Sequence, residues 1–269
     1  MASVDVFAVA RRVLAASLAC DEADLLAEDV RVVLAEERPG RLRFPRGPKV
    51  LGVATMGAGA VVSCDASRLE WARHELGPLD RNRLFTAAPI ARIAARVAED
   101  GQMLAGPDLK MVCAPEDLRP TEPPDGVRLD VVDGLAVADL YRHDGFRHAL
   151  SYLTGSPRPD MLAAVARRGE RIVGVAGASA DSVELWQIGV DVVAAERGRG
   201  VGRAVVGRLT AAVLARGCVP YYSTTVSNLR STRLALGLGY RLAWTELYAR
   251  APWPGAEPRG SALSAASVP

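Results

Sequence analysis

Apolar and polar positions alternate along the first part of the chain in a way that predicts an α+β arrangement. Apolar side chains recur at helical spacing near the start, and short β-branched runs follow them. The pattern predicts helices at residues 4–19, 66–76 (with Asp65 as N-cap) and 90–97, and strands at 30–34, 49–54, 60–63 and 109–113. We therefore expect a smaller N-terminal α+β domain over residues 1–114, in which no chemistry is apparent.

Four prolines within residues 115–125 exclude a helix or a central strand there and predict a linker. After it, the pattern predicts a second α+β unit over residues 126–250. Its strands are expected at 127–132, 161–167, 171–179, 184–192, 219–226 and 240–250, and its helices at 135–150, 201–215 and 228–236. Three of these strands follow one another through tight turns and predict an antiparallel meander. The Pro-, Gly-, Ser- and Ala-rich residues 251–269 are expected to be a disordered tail.

Composition narrows the class of protein. The 49% apolar content is ordinary for a globular protein, and the net charge of +2 gives no reason to expect nucleic acid. The four cysteines lack metal-ligand or disulfide spacing, and the histidines are not placed as ligands, so we expect neither metal nor disulfides. Arg11 and Arg12 interrupt the first apolar stretch, and no apolar run approaches the roughly 18 residues of a membrane span. These features favour a cytoplasmic protein.

The stretch from Glu196 to Arg203 alternates glycines with arginines, and it lies between a predicted strand and a predicted helix. Such a turn brings backbone N–H groups to the positive end of a helix, where a phosphate or pyrophosphate can bind. The stretch lacks the Gly-Lys-Ser/Thr of a P-loop and the closing glycine of a dinucleotide fingerprint. What remains is Arg-x-x-Gly-x-Gly at Arg197, Gly200 and Gly202. A tight turn into a surface helix is the alternative interpretation.

A second motif follows, in which Asn228, Ser231 and Leu234 are spaced as Asn-x-x-Ser-x-x-Leu and Gly239-Tyr240 comes after them. Both motifs, in this order of elements, resemble the GNAT superfamily of N-acetyltransferases. The resemblance covers residues 126–250 and implies the acyl-CoA N-acyltransferase fold, preceded here by the additional N-terminal domain.

The resemblance implies a co-substrate site for acetyl-CoA or another acyl-CoA, without a metal. In family members two parallel strands part, and their unpaired backbone groups bind the pantetheine arm. The co-substrate would then be held by backbone groups of three strand residues, by the glycine loop and its arginines, and by two polar residues of the next helix. These residues are Ile188, Val190, Val192, Arg197, Gly198, Arg199, Gly200, Val201, Gly202, Arg203, Asn228 and Ser231.

Candidates for proton transfer are Glu184, Tyr222 and Tyr240. Glu184 lies thirteen residues before Arg197, as does the general base of histone-type members, and a regular strand would point it into the cleft with Trp186 and Ile188. An exposed strand-edge glutamate is the alternative. The tyrosine that many members carry seven residues after the motif asparagine is Ala235 here. Tyr222, Tyr240 or Ser227 would then act as the acid, or the thiolate would leave unaided.

The resulting hypothesis is an acyl-CoA-dependent N-acyltransferase that transfers acetyl directly to a primary amine of a small molecule or peptide. We expect no nucleic-acid or membrane partner. The sequence leaves open whether the protein forms a homodimer. A non-catalytic acyl-CoA sensor and an O-acyltransferase are the alternatives.

Overall fold

A computed structural model describes residues 4–44, 50–150 and 158–252 of the chain. The predicted tail from residue 253 onward lies outside the described residues. The helices are Val6–Leu18 (α1), Leu69–Glu75 (α2), Arg81–Leu84 (α3), Ala87–Ala98 (α4), Leu135–Leu140 (α5), Val201–Ala215 (α6) and Leu229–Gly237 (α7). The strands are Val30–Leu34 (β1), Leu51–Thr55 (β2), Ala60–Cys64 (β3), Met103–Val112 (β4), Arg128–Asp133 (β5), Asp160–Arg168 (β6), Arg171–Ala180 (β7), Leu185–Val192 (β8), Val219–Thr225 (β9) and Arg241–Arg250 (β10).

All of these strands join one sheet in the order β1-β3-β2-β10-β4-β9-β8-β7-β6-β5. The pairs β1–β3 and β8–β9 are parallel, and the remaining pairs are antiparallel. The fold is therefore α+β with a mixed sheet, as predicted. The meander of β6, β7 and β8 is confirmed, and β8 leads through a 3₁₀ turn, Ala194–Glu196, to α6.

The two predicted domains share this sheet. Strand β4, from the N-terminal part, lies between β9 and β10, and β10 in turn pairs with β2. The N-terminal residues thus supply strands on both sides of β10. The linker at residues 115–125 stays a prediction. Strands from before and after it are joined by backbone hydrogen bonds in the same sheet.

Helices cover both faces of the sheet. Helix α6 packs one face, where Ile188 of β8, Tyr222 of β9 and Leu209 belong to one buried apolar cluster. Helix α1 packs the other face, where Leu185 and Tyr221 belong to a second cluster. Alternate residues of β8 and β9 therefore enter different cores, as the two-residue period of a strand requires.

Several predicted boundaries are wrong. Helix α5 ends at Leu140 instead of extending to about residue 150, and Gly145 follows at φ +96°. Helix α2 begins at Leu69 with Arg68 at its N-cap, while Asp65 accepts a hydrogen bond from Ser67. Strand β4 begins six residues before the predicted start, because tertiary pairing with β10 extends it across Gly106-Pro107.

Candidate functional site

The parallel strands β8 and β9 pair over only part of their length. Their register runs from Leu185 opposite Val219 to Ile188 opposite Tyr222 and stops there. Beyond that point β8 stays paired with β7 as far as Val192, and β9 stays paired with β4 as far as Thr225. The two strands part at their carboxyl ends, as the resemblance implies, and each is held by its outer neighbour.

The glycine loop lies directly beyond the parted end of β8. Gly198 and Gly200 have φ values of +77° and +86°, which non-glycine residues adopt at a cost of about 1 kcal/mol or more. Gly200 is the N-cap of α6, and the Nε of Arg197 donates to the carbonyl of Val192 at 3.0 Å. The first turn of α6 therefore presents its N–H groups beside the end of β8.

A groove of about 930 Å³, which we call the loop groove, lies between this loop and α7. Its charged side chains include Arg230 and Arg233 of α7, which we did not predict from the sequence, together with Asp191 and Glu196. Glu196 is engaged by Arg168 at 3.2 Å, so the arginines dominate the charge of the groove. The predicted residues that line it are Val190, Val192, Arg197, Gly198, Gly200, Gly202, Arg203, Asn228 and Ser231.

Two predicted side chains do not face the loop groove. Val201 is fully buried in the apolar cluster under α6, which leaves only its backbone for a ligand. The side chain of Arg199 is 65% exposed, and its Nη1 lies 4.0 Å from Glu196. The prediction for Val201 concerned its backbone amide and stays a prediction, as does the positive charge expected from Arg199.

The parted strands enclose a second cavity of about 430 Å³, which we call the cleft. It shares Val190, Asn228 and Ser231 with the loop groove, so the two spaces adjoin. Its lining is formed by Asp108, His148, Gln187, Ile188, Gly189, Val190, Tyr222, Ser223, Thr224, Thr225, Asn228 and Ser231.

Tyr222 and Ser231 form a hydroxyl pair in the cleft. Asn228 caps α7 by accepting from the N–H of Ser231 at 3.2 Å, which fixes the first turn of the helix. The Ser231 Oγ then lies 2.8 Å from the Tyr222 hydroxyl. Burial raises the pKa of Tyr222, and the hydrogen bond from Ser231 lowers it in part. Tyr222 therefore keeps its proton at neutral pH and can donate it.

Tyr240, a predicted candidate for proton transfer, is not among the residues that line the cleft. Its side chain is 2% exposed, and its hydroxyl is 2.7 Å from that of Thr210 on α6. Its ring packs edge-on against the ring of Tyr222 with centroids 5.8 Å apart, so it supports Tyr222 from behind. Ala235, at the position of the family's tyrosine, is fully buried in the same cluster.

Glu184, the predicted candidate for the general base, does not line the cleft either. It precedes β8, and its Oε1 accepts from Arg12 of α1 at 2.6 Å. Four residues of strand separate it from Ile188, where β8 and β9 part, a distance of about 13 Å. In a regular strand the side chain of Glu184 would lie on the same face of the sheet as that of Trp186. The bend before β8, held by hydrogen bonds to the Ser182 hydroxyl, directs the Glu184 side chain towards α1 instead.

Seven of the described residues that line the cleft were not predicted as site residues, and they include Asp108 of β4, Gln187 of β8, and His148 from the segment after α5. The amides of His148 and Ala149 donate to Asp191 at 2.7 and 3.0 Å, which places this segment across β8. Asp108 lies two residues before Lys110 and one residue outside the predicted strand 109–113, so a longer strand would have placed both side chains on one face.

A third, smaller cavity of about 170 Å³ adjoins the cleft through Gln187 and Ser223. We call it the polar pocket. Its walls hold the buried ion pair of Arg158 and Asp181, with Nε and Oδ1 3.0 Å apart, and the Tyr221 hydroxyl also donates to Asp181. Burial raises the pKa of Asp181, while Arg158 opposes that rise.

Across 4–44, 50–150 and 158–252, no three His, Cys, Asp or Glu side chains come together in the way that would hold a metal ion. In that same part of the chain, none of the helices has both the length and the apolar character needed to cross a membrane.

Comparison with known proteins identifies the second half of the chain. Residues 130–240 match the family model described as the acetyltransferase (GNAT) family. These residues form a GNAT acetyltransferase domain. The matched range contains the parted strands, the glycine loop and α7, so the family assignment and the geometry concern the same residues. No curated protein matches the chain significantly.

Solved structures similar to the chain include GNAT proteins. A GCN5-related N-acetyltransferase from Kribbella flavida is 20% identical, with 61% of this chain and 65% of that chain covered and a TM-score of 0.45. One from Sphaerobacter thermophilus is 21% identical, with 58% and 55% covered and a TM-score of 0.42. The Salmonella typhimurium protein yncA, solved with its cofactor acetyl-CoA, is 16% identical, with 51% and 100% covered and a TM-score of 0.33. The chain thus spans less than two thirds of the first two proteins.

Part of the site lies outside the matched GNAT range. Strand β4 (Met103–Val112) precedes residue 130, yet it pairs with β9 along one side of the cleft. The GNAT domain therefore shares its cleft with the N-terminal part of the chain.

Proposed function

We propose that the protein is an acetyl-CoA-dependent N-acetyltransferase that transfers acetyl directly to a primary amine in a ternary complex. The observation that carries the proposal is the parting of β8 and β9 after Ile188 and Tyr222, beside the glycine loop of α6. The family match supports acetyl transfer as the class of reaction.

The loop groove suits the phosphates of acetyl-CoA. The positive φ values of Gly198 and Gly200 turn the loop into the first turn of α6, where N–H groups and the helix dipole favour an anion. Arg230 and Arg233 face the same groove from α7 and add positive charge. The arm that links the phosphates to the sulfur would extend along the parted edge of β8, from Val192 towards Ile188.

Acetyl-CoA would supply the acetyl thioester at the junction of the loop groove and the cleft. Backbone N–H groups on the parted edge of β8 would stabilise the negative charge that develops on the carbonyl oxygen. The Tyr222 hydroxyl, held by Ser231, would donate a proton to the departing sulfur. Ser231 lines both spaces, so the pair lies where the two substrates would meet.

The acceptor would enter the cleft from the face that carries Gln187 and Ser223. This face is continuous with the polar pocket, where Asp181 pairs with Arg158 and Glu246 pairs with Lys110. The acceptor would be a primary amine of a small molecule or a peptide. The strands of the N-terminal part wall this side of the cleft and would select among amines.

The test has two parts, binding and turnover. Calorimetry measures acetyl-CoA affinity, and release of free CoA thiol is followed with a panel of polyamines, aminoglycosides, amino acids and peptides. Gly200→Asp places a carboxylate in the loop groove and should abolish binding. Gly217→Asp is the matched control, because Gly217 has a similar φ of +74° after the other end of α6 and no neighbour within 4 Å of an added Cβ.

The outcomes separate the alternatives. CoA release with one class of amine, lost in Gly200→Asp and kept in Gly217→Asp, supports the proposal. Tight binding without release on any acceptor would instead identify a sensor, and release with hydroxyl acceptors alone would identify an O-acyltransferase. Absence of acetyl-CoA binding would overturn all three.

A further inference from the structure

Among the described residues that line the cleft, Asp108 supplies a buried carboxylate, and it comes from a strand outside the matched family range. Asp108 of β4 lies opposite Thr225, the last residue of β9. Its side chain lines the cleft together with Gln187 and Tyr222, although Asp108 is only 8% exposed. A proton acceptor for the incoming amine must reach this space.

The neighbours of Asp108 leave its charge only partly compensated. The Nζ of Lys110 is 3.9 Å from Asp108 Oδ2, but it lies 2.9 Å from Glu246 Oε1 and 2.8 Å from Ser223 Oγ. Lys110 is therefore engaged mainly by Glu246. The Tyr248 hydroxyl also hydrogen-bonds Asp108.

Burial raises the pKa of Asp108, Glu246 adds to the rise, and Lys110 and Tyr248 oppose it. Among the described residues that line the cleft, the other titratable side chains are those of His148, from the segment after α5, and of Tyr222. A carboxylate with a raised pKa is a stronger base than an exposed aspartate, which suits it to accept a proton near neutral pH.

We propose that Asp108 is the general base that deprotonates the acceptor amine, so that the N-terminal part of the chain completes the active site. The assignment rests on the proposed N-acetyltransferase function. It also names the acceptor chemistry, an amine that arrives as an ammonium ion and gains an ion pair with Asp108.

The protons balance in the following way. The ammonium group gives one proton to Asp108, and the free amine attacks the thioester carbonyl, forming the C–N bond. The C–S bond of the tetrahedral intermediate then breaks as the carbonyl re-forms, and Tyr222 donates its proton to the departing sulfur. The second proton on nitrogen passes to the Tyr222 oxygen through Ser231 and restores its hydroxyl. The products are the amide and CoA thiol, and the proton on Asp108 leaves to solvent.

Other carboxylates are less well placed. Glu184 lies about 13 Å from the parting of the strands, and Glu246 accepts from both Lys110 and the indole N–H of Trp244. His148 is the rival, but its side chain is exposed to solvent. Asp108 is the stronger candidate because it is buried against the cleft, where water can be excluded from the reaction.

The experiment compares Asp108→Asn with wild type, using the amine of the panel above that gives the fastest CoA release. We expect kcat to fall by about 10²- to 10⁴-fold at neutral pH with acetyl-CoA affinity unchanged. The deficit should shrink as the pH approaches the pKa of the amine, because the free amine then needs no base. Asp108→Glu should restore part of the activity.

Asp29→Asn is the matched control, since it removes an exposed carboxylate that pairs with Arg31 at 2.9 Å, on strand β1 at the far side of the sheet. It should leave kcat and the pH profile unchanged. His148→Gln tests the rival, and a loss of activity there without a loss in Asp108→Asn would assign the base to His148 and overturn the proposal.

Failure of the assignment is distinct from failure of the proposed function. An active wild type whose Asp108→Asn variant keeps its rate and pH profile overturns the assignment alone. A wild type that binds acetyl-CoA but acetylates no amine overturns both. Titration of the Asp108 carboxyl by ¹³C NMR needs no acceptor, and a midpoint at or below the ordinary aspartate value would also overturn the assignment.

Discussion

Replacing Tyr222 by phenylalanine removes one hydroxyl from the cleft and little else. The ring keeps its edge-on packing against Tyr240, and Tyr222 is only 2% exposed, so its apolar burial is retained. The lost interaction is the 2.8 Å hydrogen bond with Ser231. Such a bond contributes about 1 kcal/mol to the free energy of unfolding. The expected fall in Tm is about 2–4 °C for a chain of this size.

The expected effect on catalysis is larger. A positioned acid contributes about 10²- to 10⁴-fold to a rate, and a thiolate is a good leaving group, so we take the lower end. A hundredfold fall in kcat corresponds to about 2.7 kcal/mol of transition-state stabilisation. Acetyl-CoA affinity should change little, because the hydroxyl acts on the sulfur only as the C–S bond breaks.

Steady-state CoA release, calorimetry and thermal unfolding would be measured together on Tyr222→Phe. Tyr240→Phe is the control, since it removes a hydroxyl of similar burial that bonds Thr210 at 2.7 Å outside the cleft. It should lose a similar amount of stability and keep its kcat. If Tyr222→Phe retained kcat within twofold, or both variants lost it equally, the role of Tyr222 as proton donor would be refuted.

Three further predictions concern other parts of the site. Gly189→Ala should lower the free energy of unfolding by about 1–3 kcal/mol in denaturant titrations, because the new Cβ would lie 2.1 Å from the carbonyl oxygen of His148; unchanged stability would mean that the segment moves freely. Arg233→Ala should raise the KM for acetyl-CoA about fivefold at low salt, since a partly exposed charge contact contributes roughly 1 kcal/mol, while Arg208→Ala, exposed on α6, should not. The free energy of unfolding should fall as pH rises through the raised pKa of Asp108, because the folded state binds that proton more tightly than the unfolded chain. Asp108→Asn should lose this part of the pH dependence. Parallel pH slopes in the two proteins would contradict the raised pKa of Asp108.

Local patterns were sufficient for much of the second half of the chain. The β6–β7–β8 meander, the limits of α6 and the N-cap at Asn228 were predicted because period, turn residues and capping chemistry are encoded within a few positions. Helix α5 was overextended for the opposite reason. Its apolar pattern continues past Leu140, but Asp191, far along the chain, binds the amides of the following segment.

The candidate site divides in the same way. The sequence by itself determined the glycine turn into α6 and the cap at Asn228, because each acts through neighbouring backbone. Only the tertiary structure decided which residues line the other side of the cleft. Strand β4 enters the sheet between β9 and β10, which brings Asp108 to the cleft from outside the GNAT range. The tertiary structure also directs the Glu184 side chain towards α1 and buries Tyr240 behind Tyr222. Strand order and the direction of a side chain at a strand end depend on contacts distant in sequence, and no local spacing records them.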